Sequence, residues 1–187
     1  MTDRRIPAHA AGTIAAGFLL LHVNFNLGTL NILPDWLGYL LILRALPSLE
    51  QGVPSAGLLK PLGTGLTVWE GIRWVIAIFG GNVNAVWAEV IGLAQLVAAV
   101  AALYFSFQLF TNLAELAQQY GCPEQKRLLT LRTWRTIGLT LAVIPFPWEE
   151  YIAAAVVFVA ANLVVAIWIC AVLFSLKNSL LREEEEG

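Results

Sequence analysis

Residues 151–176 and 90–110 contain no Asp, Glu, Lys or Arg and are apolar almost throughout. A bilayer core about 30 Å thick needs about 20 helical residues, so each stretch is long enough to cross it. Residues 6–33 are also free of formal charge. Three further segments are less clean: 35–50 is short and carries Arg44, 64–80 carries Glu70 and Arg73, and 128–148 carries Arg132 and Arg135. Together they predict an all-α, polytopic transmembrane helical bundle of about six spans, near 8–33, 35–50, 64–80, 86–112, 128–148 and 151–176. One integral membrane domain would then take up residues 1–187. Apolar residues make up 58% of the chain and charged residues 13%, against about 25% charged in an ordinary globular domain, so a soluble fold of this size could not hide its apolar surface.

The basic residues orient the spans, because Lys and Arg are retained on the cytoplasmic side of short loops. With the N-terminus inside, Arg4, Arg5, Arg44, Lys60, Lys126, Arg127, Arg132, Arg135, Lys177 and Arg182 fall at cytoplasmic ends, ten of the eleven Lys and Arg residues. The outer turns, near 31–35, 80–85 and 146–150, hold none. Both termini are therefore expected in the cytoplasm. The apolar run after "MTDRR" is too long for a signal-peptide core and contains His22 and Asn24, so it reads as a first span rather than a leader.

Punctuation agrees with these boundaries. Pro34 can open a helix at Asp35, since the first helical position needs no amide donor, while Gly80-Gly81-Asn82 and Pro145-Phe146-Pro147 break helices. "VNAVW" to "AQQYG" reads as one helix of about 35 residues, longer than the bilayer is thick at about 1.5 Å per residue. Gly121 would end it and Pro123 would start the next. That fifth helix sets Leu128, Leu131 and Trp134 beside Lys126, Arg127, Arg132 and Arg135, the pattern of cations snorkelling to headgroups.

Polar residues in this setting are the functional signal. On a continuous helix Asn24, Gly28, Asn31 and Asp35 would share one face, with His22 and Asn26 on a neighbouring one. Polar groups at this depth need partners inside the bundle, so the face is either interhelical glue or a site. Glu70 and Arg73, three apart on the third span, add a carboxylate and a guanidinium near mid-membrane, as a mutual ion pair or as part of a pathway. Asp35, Glu89, Glu149 and Glu150 make the outer end acidic, a field that draws cations inward or simply mirrors the basic inner side. The candidate ligand-binding set is His22, Asn24, Asn26, Asn31, Asp35, Tyr39, Glu70 and Arg73, lining a polar cavity open to the outer face.

The segment "NILPDWLGYLLI", with "LAELAQQYG" before a basic stretch and an apolar pair of C-terminal spans, resembles a group of small multi-pass membrane proteins of Gram-positive bacteria that share N-x-L-P-D-x-x-G-Y. The resemblance implies a bacterial plasma membrane and brings no activity with it.

Function classes narrow by exclusion. No H-E-x-x-H, G-x-S-x-G or phosphate-binding loop is present, so no enzyme is expected. One intramembrane imidazole and no clustered thiolates give no metal site, and Cys122 and Cys170 read as free thiols. No cofactor is expected. A net charge of −2 speaks against nucleic acid as a partner. What is left is transport or binding of a small solute or cation, or a non-catalytic subunit or scaffold that binds another membrane protein. Lipids are the expected surroundings, with a protein partner or a homo-oligomer as further company. The seven tryptophans suit interfacial anchoring. Asn162, mid-way along the last span, suits glue or an oligomer contact.

Overall fold

The computed structural model describes residues 5–22, 26–27, 30–31, 34–79, 85–144, 146–147 and 150–185. The chain is helical: α1 (Arg5–His22), α2 (Asp35–Gly52), a 3₁₀ turn (Pro54–Leu58) leading into α3 (Leu59–Phe79), α4 (Ala85–Gln119), α5 (Gln125–Val143) and α6 (Ile152–Glu185). Three stretches are long and apolar enough to cross a membrane, Pro54–Phe79, Trp87–Gln119 and Ile152–Arg182. The structure is thus that of a helical bundle with membrane-spanning character.

The first element is shorter than its hydropathy predicts. In place of one helix over 8–33, α1 stops at His22, and Asn26–Leu27 pairs antiparallel with Leu30–Asn31, Asn26 opposite Asn31. Hydropathy sees only the lack of charge; Asn disfavours helix interiors, and Asn26 and Asn31 lie in extended backbone instead. α4, by contrast, runs its expected 35 residues. It ends where Gly121 takes φ +70°, a left-handed conformation that glycine adopts without penalty.

α1 lies between α2 and α6, α4 packs on α5 and α3, and α3 leans on α2. The α1–α2 crossing is close because both helices present glycine: a Cβ on Gly17 would meet Gly38 O at 2.8 Å and Ile42 Cγ1 at 2.7 Å. The core gathers at one end of the bundle, from Ile14, Phe18, Ile42, Leu46, Phe110 and Leu113 to Leu173 and Leu176, all at most 3% exposed. Toward the other end the helices bare apolar side chains to the surroundings, among them Phe79, Leu93, Val97, Ile152, Val157 and Val164. A surface of that extent suits lipid rather than water and marks a membrane-associated protein. Threonines fit the same medium. Thr64, Thr67, Thr111 and Thr136 each donate to the carbonyl four residues back, which satisfies the hydroxyl within its own helix.

Candidate functional site

The end of α1 and the start of α2 bring the polar residues together. His22 is the last residue of α1 and Asp35 the first of α2. Tyr39 follows one turn after Asp35 and lies edge-on to the Phe105 ring of α4, with centroids 6.0 Å apart. Arg73 Nη1 donates to Glu70 at 3.0 and 3.2 Å on α3. Both residues are electrostatic neighbours of Asp35, while Glu70, Asp35 and Arg135 are neighbours of Tyr39. Arg135, from α5, is also a charge neighbour of His22. Charge thus links polar side chains of α1, α2, α3 and α5 into one polar cluster.

The cluster is incompletely satisfied. His22 Nδ1 donates to Phe18 O at 2.8 Å, because a carbonyl only accepts; that fixes the tautomer and leaves Nε2 as an acceptor. His22 Nε2, Asp35 Oδ1, Ser106 Oγ and Arg135 Nε are all buried with no hydrogen-bond partner among the described residues. A buried polar group without a partner costs about 1–3 kcal/mol, so each such atom calls for an explanation besides packing. A cavity of about 20 Å³ is bordered by Tyr39, Ser106 and Arg135 and walled by Phe18, Leu21 and Leu139. That volume holds roughly one water.

The structure distributes the expected site residues unevenly. Asp35, Tyr39 and Glu70 interact through charge, and His22 does so with Arg135. Arg73 joins through its ion pair, but its side chain is 44% exposed against 15% for Glu70, so Arg73 leans outward where both had been expected to face the bundle. The guanidinium sits on the longer stem and reaches away from the crowded interior, leaving the carboxylate on the inner side. Asn26 and Asn31 stand opposite each other in the extended pairing, so the shared helical face through Asn24, Asn31 and Asp35 does not form. Asn24 and Gly28 lie outside the described residues.

Sequence reasoning missed Arg135 and Ser106. Arg132 behaves as a helix-face cation should: it donates to Thr111 Oγ1 at 3.1 Å and lies 4.5 Å from the Phe107 ring centroid. Arg135, one turn deeper and followed by "TIGLTLAVI", turns inward. Its distance from the helix ends was the available signal, since in an apolar medium ionisable residues far from a helix end face the interior or a cavity. A second buried polar set lies at the opposite end. Glu124, 2% exposed, accepts from Ser175 Oγ at 2.7 Å and Ser179 Oγ at 2.9 Å, tying the start of α5 to α6. Ser55 Oγ lies 3.0 Å from the amide of the fully buried Asn112, joining the 3₁₀ turn to α4.

Among the described residues no group of three or more His, Cys, Asp or Glu side chains could hold a metal ion. No protein-family model, curated protein or solved structure matches the chain.

Proposed function

We propose that this is a plasma-membrane protein of six spans with both termini cytoplasmic, which binds a small solute or cation at the polar cluster and carries it across without catalysing a reaction. The observation that supports it most is the electrostatic link of Asp35 and Tyr39 on α2 with Glu70 on α3, together with the buried polar atoms of Asp35 and His22 that have no partner among the described residues. Asp35 Oδ1 is a carboxylate oxygen of the kind a hard cation takes, and His22 Nε2 presents a lone pair to a protonated solute. Placement at the interrupted junction of α1 and α2 fits the way transporters site their ligands at broken helices. The span count rests on length as well as composition: α1 and α2, at 18 residues each, reach about 27 Å, close to the bilayer core.

A thermal-shift screen of the purified protein against cations, amino acids and lipids, repeated on Asp35→Asn, tests the proposal. A ligand that stabilises the parent and not the variant supports it. A parent that responds only to lipid overturns it.

A subunit role has its own support in the groove between α3 and α4. It measures about 490 Å³ and is lined by Leu62, Leu66, Trp69, Val97 and Ala101, an apolar trough of the kind a partner's transmembrane helix fills. Co-purification of another membrane protein, lost on Ala98→Phe, is the result that favours this second reading.

A further inference from the structure

Arg135 is the one cluster member whose charge the described residues leave unanswered. The ion pairs among them are Lys60–Glu50 and Arg73–Glu70; Arg135 has neither a carboxylate within ion-pair distance nor a hydrogen bond to its buried Nε. Its titratable neighbours are Tyr39 and His22. A guanidinium deep in a span is costly unless something of opposite sign accompanies it. Water in the adjoining cavity could fill space and accept a hydrogen bond, but it could not neutralise the charge.

The cavity beside Arg135 is lined by hydrogen-bond donors. The guanidinium only donates. Ser106 is 6% exposed and its Oγ is unpartnered, so its proton is free to point into the cavity. Tyr39 completes the border. The remaining walls, from Phe18, Leu21, Ile42 and Leu139, are hydrocarbon, and low polarity strengthens whatever charge pairing forms there. At about 20 Å³ the space admits one water-sized occupant and excludes sulfate, phosphate and carboxylates of any size.

We propose that the Arg135–Ser106–Tyr39 cavity is a binding site for a small monovalent anion of the halide class. Arg135 supplies the counter-charge, Ser106 and Tyr39 the neutral donors. The site rests on the reading of the cluster as a binding site but uses Arg135, Ser106 and Tyr39 rather than the Asp35 and Glu70 carboxylates, so the two can fail separately.

The test is ³⁵Cl line broadening and thermal stability of the full chain in detergent, in chloride against gluconate at equal ionic strength. Chloride should broaden the line. It should raise Tm by about 3–5 °C at roughly tenfold excess over its dissociation constant. Bromide should substitute and sulfate should not. Ser106→Ala removes one donor with little change in volume and should raise the half-saturating chloride concentration about fivefold; Arg135→Gln should abolish the response, and if that variant does not fold, Ser106→Ala decides. Equal Tm in chloride and gluconate with no broadening overturns the anion site, as does a chloride response that Ser106→Ala and a folded Arg135→Gln both leave intact. A parent indifferent to chloride yet stabilised by a cation or amino acid in an Asp35-dependent way overturns this site alone. Chloride binding beside a silent cation and solute screen supports this site and overturns the cation reading.

Discussion

Gly17→Ala should destabilise the protein, and the size of the loss follows from the α1–α2 crossing. The new Cβ would sit 2.8 Å from Gly38 O and 2.7 Å from Ile42 Cγ1. Ile42 can change rotamer, but a backbone carbonyl inside a helix cannot, so the two helices must part. Overpacking of this kind costs about 1–3 kcal/mol, and with backbone as the obstacle the upper half of that range applies. Replacing a helical glycine gives back up to about 1 kcal/mol. The net loss is therefore about 1–2 kcal/mol, or about 2–8 °C in Tm for a chain of this length. Gly65→Ala is the control: nothing lies within 4 Å of the Cβ it would add, so only the propensity gain remains and Tm should rise by about 1–4 °C. Both are read by thermal unfolding in one detergent, followed by far-UV circular dichroism. If the two variants shift Tm in the same direction by the same amount, the close glycine crossing is refuted.

The Glu124 set yields a cycle: Ser175→Ala should cost about 1–2 kcal/mol by withdrawing a donor from a buried carboxylate, and Glu124→Leu added to Ser175→Ala and Ser179→Ala should recover most of the triple loss. Chemical denaturation of the single and combined variants checks it; purely additive losses contradict a shared buried network. For the α3 ion pair, Arg73→Gln should cost less than about 1 kcal/mol because the guanidinium is well exposed, and Glu70→Gln should cost more because its carboxylate faces the cluster. Equal stabilities for the two variants would show that Glu70 is not on the inner side. Topology is open to labelling: with Cys122 and Cys170 replaced, a cysteine at Asn82 should react with an impermeant reagent on intact cells and one at Lys60 only after lysis, and the reverse pattern inverts the orientation.

α4 was legible in the sequence because two local signals agree there, an uncharged run and a terminating Gly121-Cys122-Pro123. The end of α1 was not. Asn24, Asn26 and Gly28 favour a turn, but a run without formal charge carries no boundary of its own, and polar residues also occur inside transmembrane helices. The site divided along the same line. His22, Asp35, Tyr39 and Glu70 stood out because their chemistry is foreign to hydrocarbon wherever the helices turn. Arg132 and Arg135, three residues apart on one helix, look alike as a sequence; which of them points inward depends on how α5 is rotated against α1 and α4, a non-local quantity. The pairing of Gly17 with Gly38 is hidden for the same reason, since neither glycine announces its partner.

The contact of α1 with α6 couples the two ends of the chain. Cys170 Sγ lies 4.0 Å from Ala15 O, and the Lys177 stem runs along Gly12, so α1 packs on a helix made long after it. During synthesis that side of α1 stays without its partner until residues beyond 165 have left the ribosome. Contacts of such long sequence separation are slow to form. A chain interrupted within α6 would leave the α1 surface around Gly12 and Ala15 uncovered, the kind of unfinished surface that quality-control proteases recognise.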